Sequence, residues 1–398
     1  MALPTSDTDS RDVARLAANE YRRRFGEPAG VFRAPGRVNL IGEHTDYNDG
    51  FVMPAALGFS TFVAAGARGD GSLVVYSLDF GEETVINVDA ANSGPTGHWS
   101  DYPRGVAAEL GAHGVPWTGA NLVIKGDVPI GAGLSSSAAI EVATAMALVA
   151  VAGAALDRRT IASICQRAEH NYAGTKCGIM DQFISCFGES GRALLLDCRS
   201  LNYESLPLPE RTRIVICNSM VRHELASGEY NLRRADCETG VKLLQRFLPA
   251  IRALRDVSPA QVIQFGDQMP DRVFRRCRHV VSEIARTLSA AEALRRDDLR
   301  QFGELMRASH LSLRDDYEVS CSELDLLVEL AGSCRGVFGA RMTGGGFGGC
   351  TVNLVNASDV DSFKTEVQRR YQAETGKKPD IYVCTAAAGA GKLAGGVE

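Results

Sequence analysis

Residues 126–139, GDVPIGAGLSSSAA, constrain this chain more than any other stretch, because residue order alone sets the path of the backbone there. Before it, residues 121–125 (NLVIK) read as a short strand; after it, an alanine-rich, glycine-poor run at 137–156 predicts a helix. The chain must therefore pass from a strand through a tight turn into a helix. Gly131 and Gly133 admit backbone angles closed to other residues and let a ligand approach the main chain. Ser135, Ser136 and Ser137 set hydroxyls where the first N–H groups of the helix lack internal partners. Such a turn is a candidate anion site. An ordinary capped helix after a glycine turn satisfies the same pattern.

The familiar nucleotide motifs do not fit. There is no G-x-x-x-x-G-K-[ST] run, and Ser136 stands where a dinucleotide fingerprint begun at Gly131 wants its third glycine. Asp79-Phe80-Gly81 spells a protein-kinase tripeptide, but no H-R-D loop accompanies it, so we read it as chance. At 398 residues, with 45% hydrophobic and 23% charged content, the chain is long enough for two domains. A net charge of −5 gives no reason to expect a nucleic-acid or anionic-membrane partner. The 11 cysteines start at Cys165 and form no C-x-x-C pair, which predicts reduced thiols and a cytoplasmic location. The polar, acidic N-terminus is no secretory signal, and the longest uncharged run, 142–156, is too short for a bilayer. Arg275, Arg276 and Arg278 with His279 read as one solvated helix face.

Along the chain, residues 12–25 place Val13, Leu16, Ala17 and Tyr21 on one helical stripe that ends at Gly26. Residues 36–54, GRVNLIGEHTDYNDG followed by FVMP, are the densest polar segment, with Arg37, Glu43, His44, Asp46 and Asp49 set among Val38, Leu40 and Ile41. A solvated loop could hold these charges, but carboxylates, an imidazole and a guanidinium among apolar residues also suit the gripping of sugar hydroxyls. Period-two alternation predicts strands between 59 and 88, and Trp99 and Tyr102, ahead of a helix to about 110, are most simply core packing. In residues 160–172 Ile161, Ile164, Cys165, Ala168 and Tyr172 share a stripe with Glu169 at its rim, a surface carboxylate or one that reaches a metal.

Asp181, within CGIMDQFIS at 177–185, is a lone acid among apolar neighbours, a position costly to bury without a partner. The proline-bearing stretch 204–210 marks the expected boundary; a strand at 213–218 and helices from His223 to about 330 follow. Residues 339–350, GARMTGGGFGGC, match G-x-G-x-x-G formally, but a strand comes next rather than a helix, so the dinucleotide reading fails. A glycine hairpin closing over another backbone or a ligand is the alternative. A helix at 358–371 and a last strand at 380–385 finish the pattern, a split βαβ layout with an enlarged helical insert.

VPIGAGLSSSAA resembles the phosphate loop of the GHMP small-molecule kinases, and GRVNLIGEHTDYNDG with its trailing FVMP resembles the signature of their galactokinase branch. CGIMDQ and RMTGGGFGGC resemble its other two motifs, in family order over nearly the whole chain. The resemblance implies an α+β, two-domain GHMP kinase fold. Its N-terminal domain, 1–208, would be similar to domain 2 of ribosomal protein S5; its C-terminal domain, 209–398, would be ferredoxin-like, with the active site between them. It implies ATP-dependent phosphorylation of galactose at the anomeric hydroxyl. Asp181, as base or as electrostatic anchor at the anomeric hydroxyl, and Arg37, which would stabilise the transferring group and hold Asp181 ionised, would be catalytic. Gly131, Ala132, Gly133, Leu134, Ser135, Ser136 and Ser137 would hold the ATP phosphates, with Trp99 and Tyr102 at the adenine. Ser137 and Glu169 would hold Mg²⁺, and Glu43, His44, Asp46, Gly178 and Tyr230 the sugar. The implied partners are galactose and ATP, with neither nucleic acid nor membrane, for a monomer in the cytoplasm. Two alternatives stay open: a kinase of N-acetylgalactosamine, galacturonate or arabinose, and a non-catalytic sugar sensor, which would lack part of the SSSAA run that is complete at 135–139.

Overall fold

In the computed structural model residues 7–87, 94–116, 118–221 and 226–393 are described, side chains of 7–9 and 226–227 excepted. The first half runs α1 (Asp7–Phe25), β1 (Gly30–Asn39), β2 (Phe51–Val52), β3 (Pro54–Ala67), β4 (Ser72–Ser77), β5 (Glu82–Asn87), α2 (Asp101–Ala112) and β6 (Ala120–Gly126). It continues with α3 (Ser136–Val151), α4 (Arg158–Ala168), α5 (Met180–Phe187), β7 (Arg192–Asp197) and β8 (Tyr203–Pro207). β3 is buried at all but two positions, because both faces of its sheet are covered. On one side Ala14, Ala17, Ala18 and Tyr21 of α1 pack on Phe62 and Ala64; on the other, α2 to α5 pack on Val63, Ala65 and Leu122. Burying a side chain such as Phe62 or Val63 stabilises by roughly 1.5–3 kcal/mol. Neighbours in this sheet run antiparallel except β4 and β6, which are parallel and joined through α2, so β6 lies between β3 and β4. β2, β7 and β8 form a small separate sheet.

The second half runs β9 (Thr212–Asn218), α6 (Ala226–Leu244), α7 (Pro259–Gln264), α8 (Asp271–Arg295), α9 (Leu299–Asp315), α10 (Ser322–Ser333), β10 (Val337–Thr343), β11 (Cys350–Asn356), α11 (Val360–Thr375), β12 (Asp380–Cys384) and β13 (Gly391–Lys392). Its sheet order, β10-β11-β9-β12, is antiparallel throughout, with the first and third strands of this half in the centre, the split βαβ arrangement with helices α6 to α10 inserted after the first strand. One core cluster joins the halves: Leu40, Met53 and Leu57 meet Ile216, Phe302, Val352 and Leu354.

Several expectations change. The helix after the serines stops at Val151 rather than 156, since Gly153 takes a left-handed φ of +64° and breaks it. The helix expected from His223 is described from Ala226; His223 itself lies outside the described residues. The chain does not finish at 385. β13 crosses back and pairs Lys392 with Phe32 and Gly391 with Arg33, a strand of two residues too short to leave a periodic signal. The basic cluster is no solvated face either: Arg276 and His279 are buried, and Arg275, Arg276 and Arg278 pair with Glu318 and Asp316 across from α8. All 11 cysteines are free thiols, and among the described residues no helix is long and apolar enough to cross a membrane.

Candidate active site

The turn between β6 and α3 uses left-handed backbone at Gly131, Gly133 and Ser135, with φ of +71°, +76° and +59°. Ser135 makes no capping bond, contrary to expectation; its hydroxyl donates instead to Asp181. The turn opens on a cavity of about 450 Å³ lined by Gly131, Gly133, Ser135, Ser136 and Ser137. Ala132 and Leu134 turn their side chains into the core, and only their backbone belongs to the turn's surface. Trp99 and Tyr102 line this cavity as well. The Trp99 indole N–H donates to Glu82 at 2.9 Å and its ring stacks on Phe80 with centroids 5.6 Å apart, so the tryptophan packs on the core edge and still faces the cavity. Asp79 and Phe80, which sequence reasoning discarded with the chance tripeptide, line the same cavity. Only their position after β4, the strand beside β6, could have pointed to them.

A second cavity of about 400 Å³ adjoins the first, lined by Glu43, His44, Asp46 and Tyr230 and by the glycine loop at 344–349. Both cavities share Arg37, Gly131, Gly133, Glu169, Thr175 and Asp181. Arg37, near the end of β1, donates from Nε and Nη2 to the two oxygens of Asp181 at 2.7 and 2.8 Å, and from Nη1 to the Gly133 carbonyl at 2.6 Å. A bidentate guanidinium–carboxylate pair of this kind fixes both groups in one plane. Asp181 stands in the first turn of α5, where the helix dipole favours a negative charge. The lone acid of the sequence thus has its partner, 144 residues upstream.

Asp46 is bonded by the Tyr47 N–H at 3.0 Å, and burial, together with the nearby charge of Asp181, pushes its carboxyl up to about 7. Gly178 faces it from behind: a Cβ there would lie 2.0 Å from Asp46 Oδ2, so glycine is needed for clearance. Glu43 accepts the Gly344 N–H at 2.7 Å and pairs with Arg341, which is fully buried, at 3.3 Å. From α8, Glu283 accepts the Gly42 N–H at 2.9 Å and the Ser309 hydroxyl at 2.6 Å, which clamps the polar segment onto the second half. Sequence reasoning missed Arg341 and Glu283, which signal nothing until the halves meet. The glycine hairpin closes over other backbone as expected, with a Cβ on Gly346 falling 2.2 Å from the Val319 carbonyl.

Glu169 begins a π-helical turn after α4, a geometry frequent at functional sites, and lines both cavities. Its carboxylate accepts from Gln182 at 2.6 Å and from the Cys177 thiol at 3.4 Å, while the Ser137 hydroxyl faces it. Burial and the charge of Asp181 raise its pKa. Gln182 also reaches the fully buried Glu141, an acid that sequence reasoning did not single out. Among the described residues no cluster of three or more His, Cys, Asp or Glu is placed to hold a metal. One carboxylate and one hydroxyl beside a phosphate-sized space suit Mg²⁺, which takes few protein ligands and relies on phosphate and water oxygens.

Known proteins resemble this chain along most of its length. Residues 19–67 match the galactokinase galactose-binding signature, 101–189 the GHMP kinases N terminal domain and 290–373 the GHMP kinases C terminal. The galactokinase of Chloroflexus aurantiacus (strain ATCC 29366 / DSM 635 / J-10-fl) is 50% identical over 370 residues, covering 93% of this chain and 95% of its own. That of Roseiflexus sp. (strain RS-1) is 45% identical over 383 residues, 95% of this chain and 98% of its own. The crystal structure of Lactococcus lactis galactokinase complexed with galactose matches with a TM-score of 0.91 at 37% identity, covering 94% of this chain and 98% of that one. The Methanococcus jannaschii mevalonate kinase, at 18% identity and a TM-score of 0.62 over 91% of this chain and 99% of its own, shares the fold. With three family matches in order and 50% identity over 370 residues to a relative of nearly equal length, the chain belongs to the galactokinase family and carries the two-domain α+β fold of the GHMP kinases.

Proposed function

We propose that the chain transfers the terminal phosphoryl group of ATP to the anomeric hydroxyl of galactose, giving α-D-galactose 1-phosphate, the entry step of galactose catabolism. The observation that carries this reading is that one ion pair, Arg37 with Asp181, belongs to the walls of both cavities. Phosphoryl transfer asks for little covalent chemistry and much positioning, and the boundary between two cavities is where two substrates would meet. ATP lies in the cavity of the phosphate loop, its phosphates on the N–H groups of 131–137 and its base against Trp99 and Tyr102. Galactose lies in the other, with Asp46 and Tyr230 at the C4 hydroxyl, Glu43 and His44 at the C6 hydroxyl, and the Gly178 backbone adding a contact.

Asp181 accepts the hydrogen of the anomeric hydroxyl and aims its oxygen at the phosphoryl group. Arg37, held by that carboxylate and by the Gly133 carbonyl, offers positive charge where the transferred group passes. Ser137 and Glu169 would hold Mg²⁺, which neutralises phosphate charge when bound. The division at 1–208 and 209–398 follows from the same reading, since the sugar cavity takes walls from both parts. The same reading takes galactose and ATP as the partners of a monomer, and a cytoplasmic location, which the free thiols support, as the modest negative charge supports the lack of a nucleic-acid or membrane partner.

An ADP-release assay over galactose, glucose, N-acetylgalactosamine, galacturonate and arabinose tests it. Galactose should turn over best and glucose barely, since a site built to hydrogen-bond one hydroxyl rejects an analogue that leaves its groups unpaired by roughly 10⁴. Galacturonate would set a carboxylate beside Glu43 and should be poor. Release of ADP with galacturonate ahead of galactose would overturn the substrate, and no release with any sugar would overturn catalysis.

A further inference from the structure

His44 holds a left-handed backbone, φ +63°, unusual for a residue with a side chain, and the Asn48 amide donates to its carbonyl at 3.0 Å to keep it there. The strain places the imidazole between Tyr317 and Tyr230, with ring centroids 4.6 and 5.3 Å away. Behind it runs a chain of polar atoms: His44 Nδ1 lies 2.8 Å from the Tyr47 hydroxyl, which lies 2.7 Å from the Tyr317 hydroxyl, which lies 3.2 Å from the Cys237 thiol. The other ring nitrogen, Nε2, is buried with no hydrogen-bond partner, and the ring lines the sugar cavity.

We propose that this relay, Cys237 to Tyr317 to Tyr47, fixes His44 as the tautomer protonated on Nε2, so that the ring presents a hydrogen-bond donor to the sugar. The sugar half of the statement rests on the reading of this cavity given above. Each phenol owns one hydrogen, so the relay has only two orientations. In one, the thiol donates to Tyr317, Tyr317 to Tyr47 and Tyr47 to Nδ1, which leaves the ring proton on Nε2. In the other, every hydrogen points the opposite way and Nε2 is a bare lone pair. His44 and Gly345 line the same cavity and Nδ1 is taken up by Tyr47, so the Gly345 carbonyl, which lies against the ring without completing a hydrogen bond to Nε2, is left to that nitrogen; a carbonyl opposite a lone pair is repelled while one opposite N–H is not, which selects the first orientation. Double protonation is disfavoured by burial and by the neighbouring His279, Arg233 and Arg341, which hold the ring neutral.

Cys237 on α6 and Tyr317 beyond α9 belong to the second half, whereas His44 and Tyr47 belong to the first. The donor character of a sugar-facing ring is thus set across the molecule. Tyr47, Tyr317 and Cys237 are positioning residues for His44.

The test is two-bond ¹H–¹⁵N correlation on the full-length, ligand-free protein labelled in its 7 histidines, with His44 assigned from the His44→Gln spectrum. The expected result is an unprotonated Nδ1 and a protonated Nε2. Tyr47→Phe should convert the signal to a mixture of tautomers and raise the galactose KM about tenfold, the loss of one hydrogen bond, with kcat and the ATP KM within about twofold of the parent. A parent ring protonated on Nδ1, or an unchanged spectrum in Tyr47→Phe, overturns the relay. Should that variant not fold, Tyr317→Phe keeps the ring packing and must give the same drift toward a mixture. If the tautomer is as assigned but His44→Gln leaves the galactose KM unchanged, the sugar reading of the cavity fails and the relay stands.

Discussion

The two cavities are built by different rules. Every residue lining the phosphate-loop cavity comes from the first half, between Arg37 and Asp181, and its chemistry is mostly backbone, hydroxyl and aromatic surface. The cavity proposed for the sugar takes Glu43, His44 and Asp46 from the first half but Tyr230 and the 344–349 loop from the second; its charges are buried, with Arg341 paired to Glu43 and Glu283 holding the Gly42 N–H. A site made within one segment depends on local turn geometry. A site made across two depends on the docking that brings its charges together, so damage far along the chain should reach the sugar before it reaches the nucleotide.

That contrast can be broken. The largest effect belongs to the boundary both cavities share: Asp181→Asn keeps the shape but loses the charge, and should cut kcat by roughly 10² to 10⁴. A variant that keeps more than about a tenth of kcat would remove Asp181 from the chemistry, and with it the argument from the shared wall.

Next comes the clamp. Arg341→Met removes the buried guanidinium paired with Glu43, and breaking a buried pair typically costs about 3–5 kcal/mol of stability. Urea unfolding measures that loss, and the galactose KM should rise while the ATP KM stays near the parent's. An equal rise in both would show that the cavities are not independent.

A smaller effect is a pH dependence. Asp46 has its pKa raised from 3.8 to about 7, so the folded protein holds a proton that the unfolded chain has released between those values. Its contribution to stability is full below about 4 and is lost as pH rises toward 7. The ligand-free Tm should therefore fall over this range, and Asp46→Asn should flatten the fall; an Asp46→Asn profile parallel to the parent's would contradict the shift. The smallest effect is local to the nucleotide side, where Trp99→Ala should raise the ATP KM severalfold, on the scale of about 1 kcal/mol for a lost aromatic pair, and leave the galactose KM alone. A lower Tm with an unchanged ATP KM would return Trp99 to the core.

Legibility followed the same division. The strand, turn and helix at 126–139 could be read because Gly131 and Gly133 dictate their own backbone, yet the role of Ser135 was misread: its hydroxyl answers to Asp181, 46 residues on, rather than to its own helix. The polar segment at 36–54 was legible as an inventory, but which of its acids would face a ligand and which would be tied down was not. Glu43 looked equivalent to Asp46 until Arg341 and Gly344 took one of its oxygens. The arginines of α8 looked solvated because their carboxylate partners, Asp316 and Glu318, lie a whole helix away in sequence. Phe80 sat in a tripeptide that was rightly denied one meaning and had another.

What the sequence determined alone is what short-range physics can dictate: strand, glycine turn and helix at 126–139, the presence of strands between 59 and 88, though not the burial of β3 on both faces, and the split order of elements in the second half. Left-handed angles, periodicity and composition act over a few residues and need no partner to be recognised. The resemblance implied Arg37 beside Asp181, and the tertiary structure supplied their two-point grip; only that structure decided that Glu283 would hold the Gly42 N–H and that two tyrosines and a cysteine would stand behind His44. Those pairings join residues separated by much of the chain, and whether a buried charge or a ring nitrogen has a partner depends on where the packing of two halves sets it.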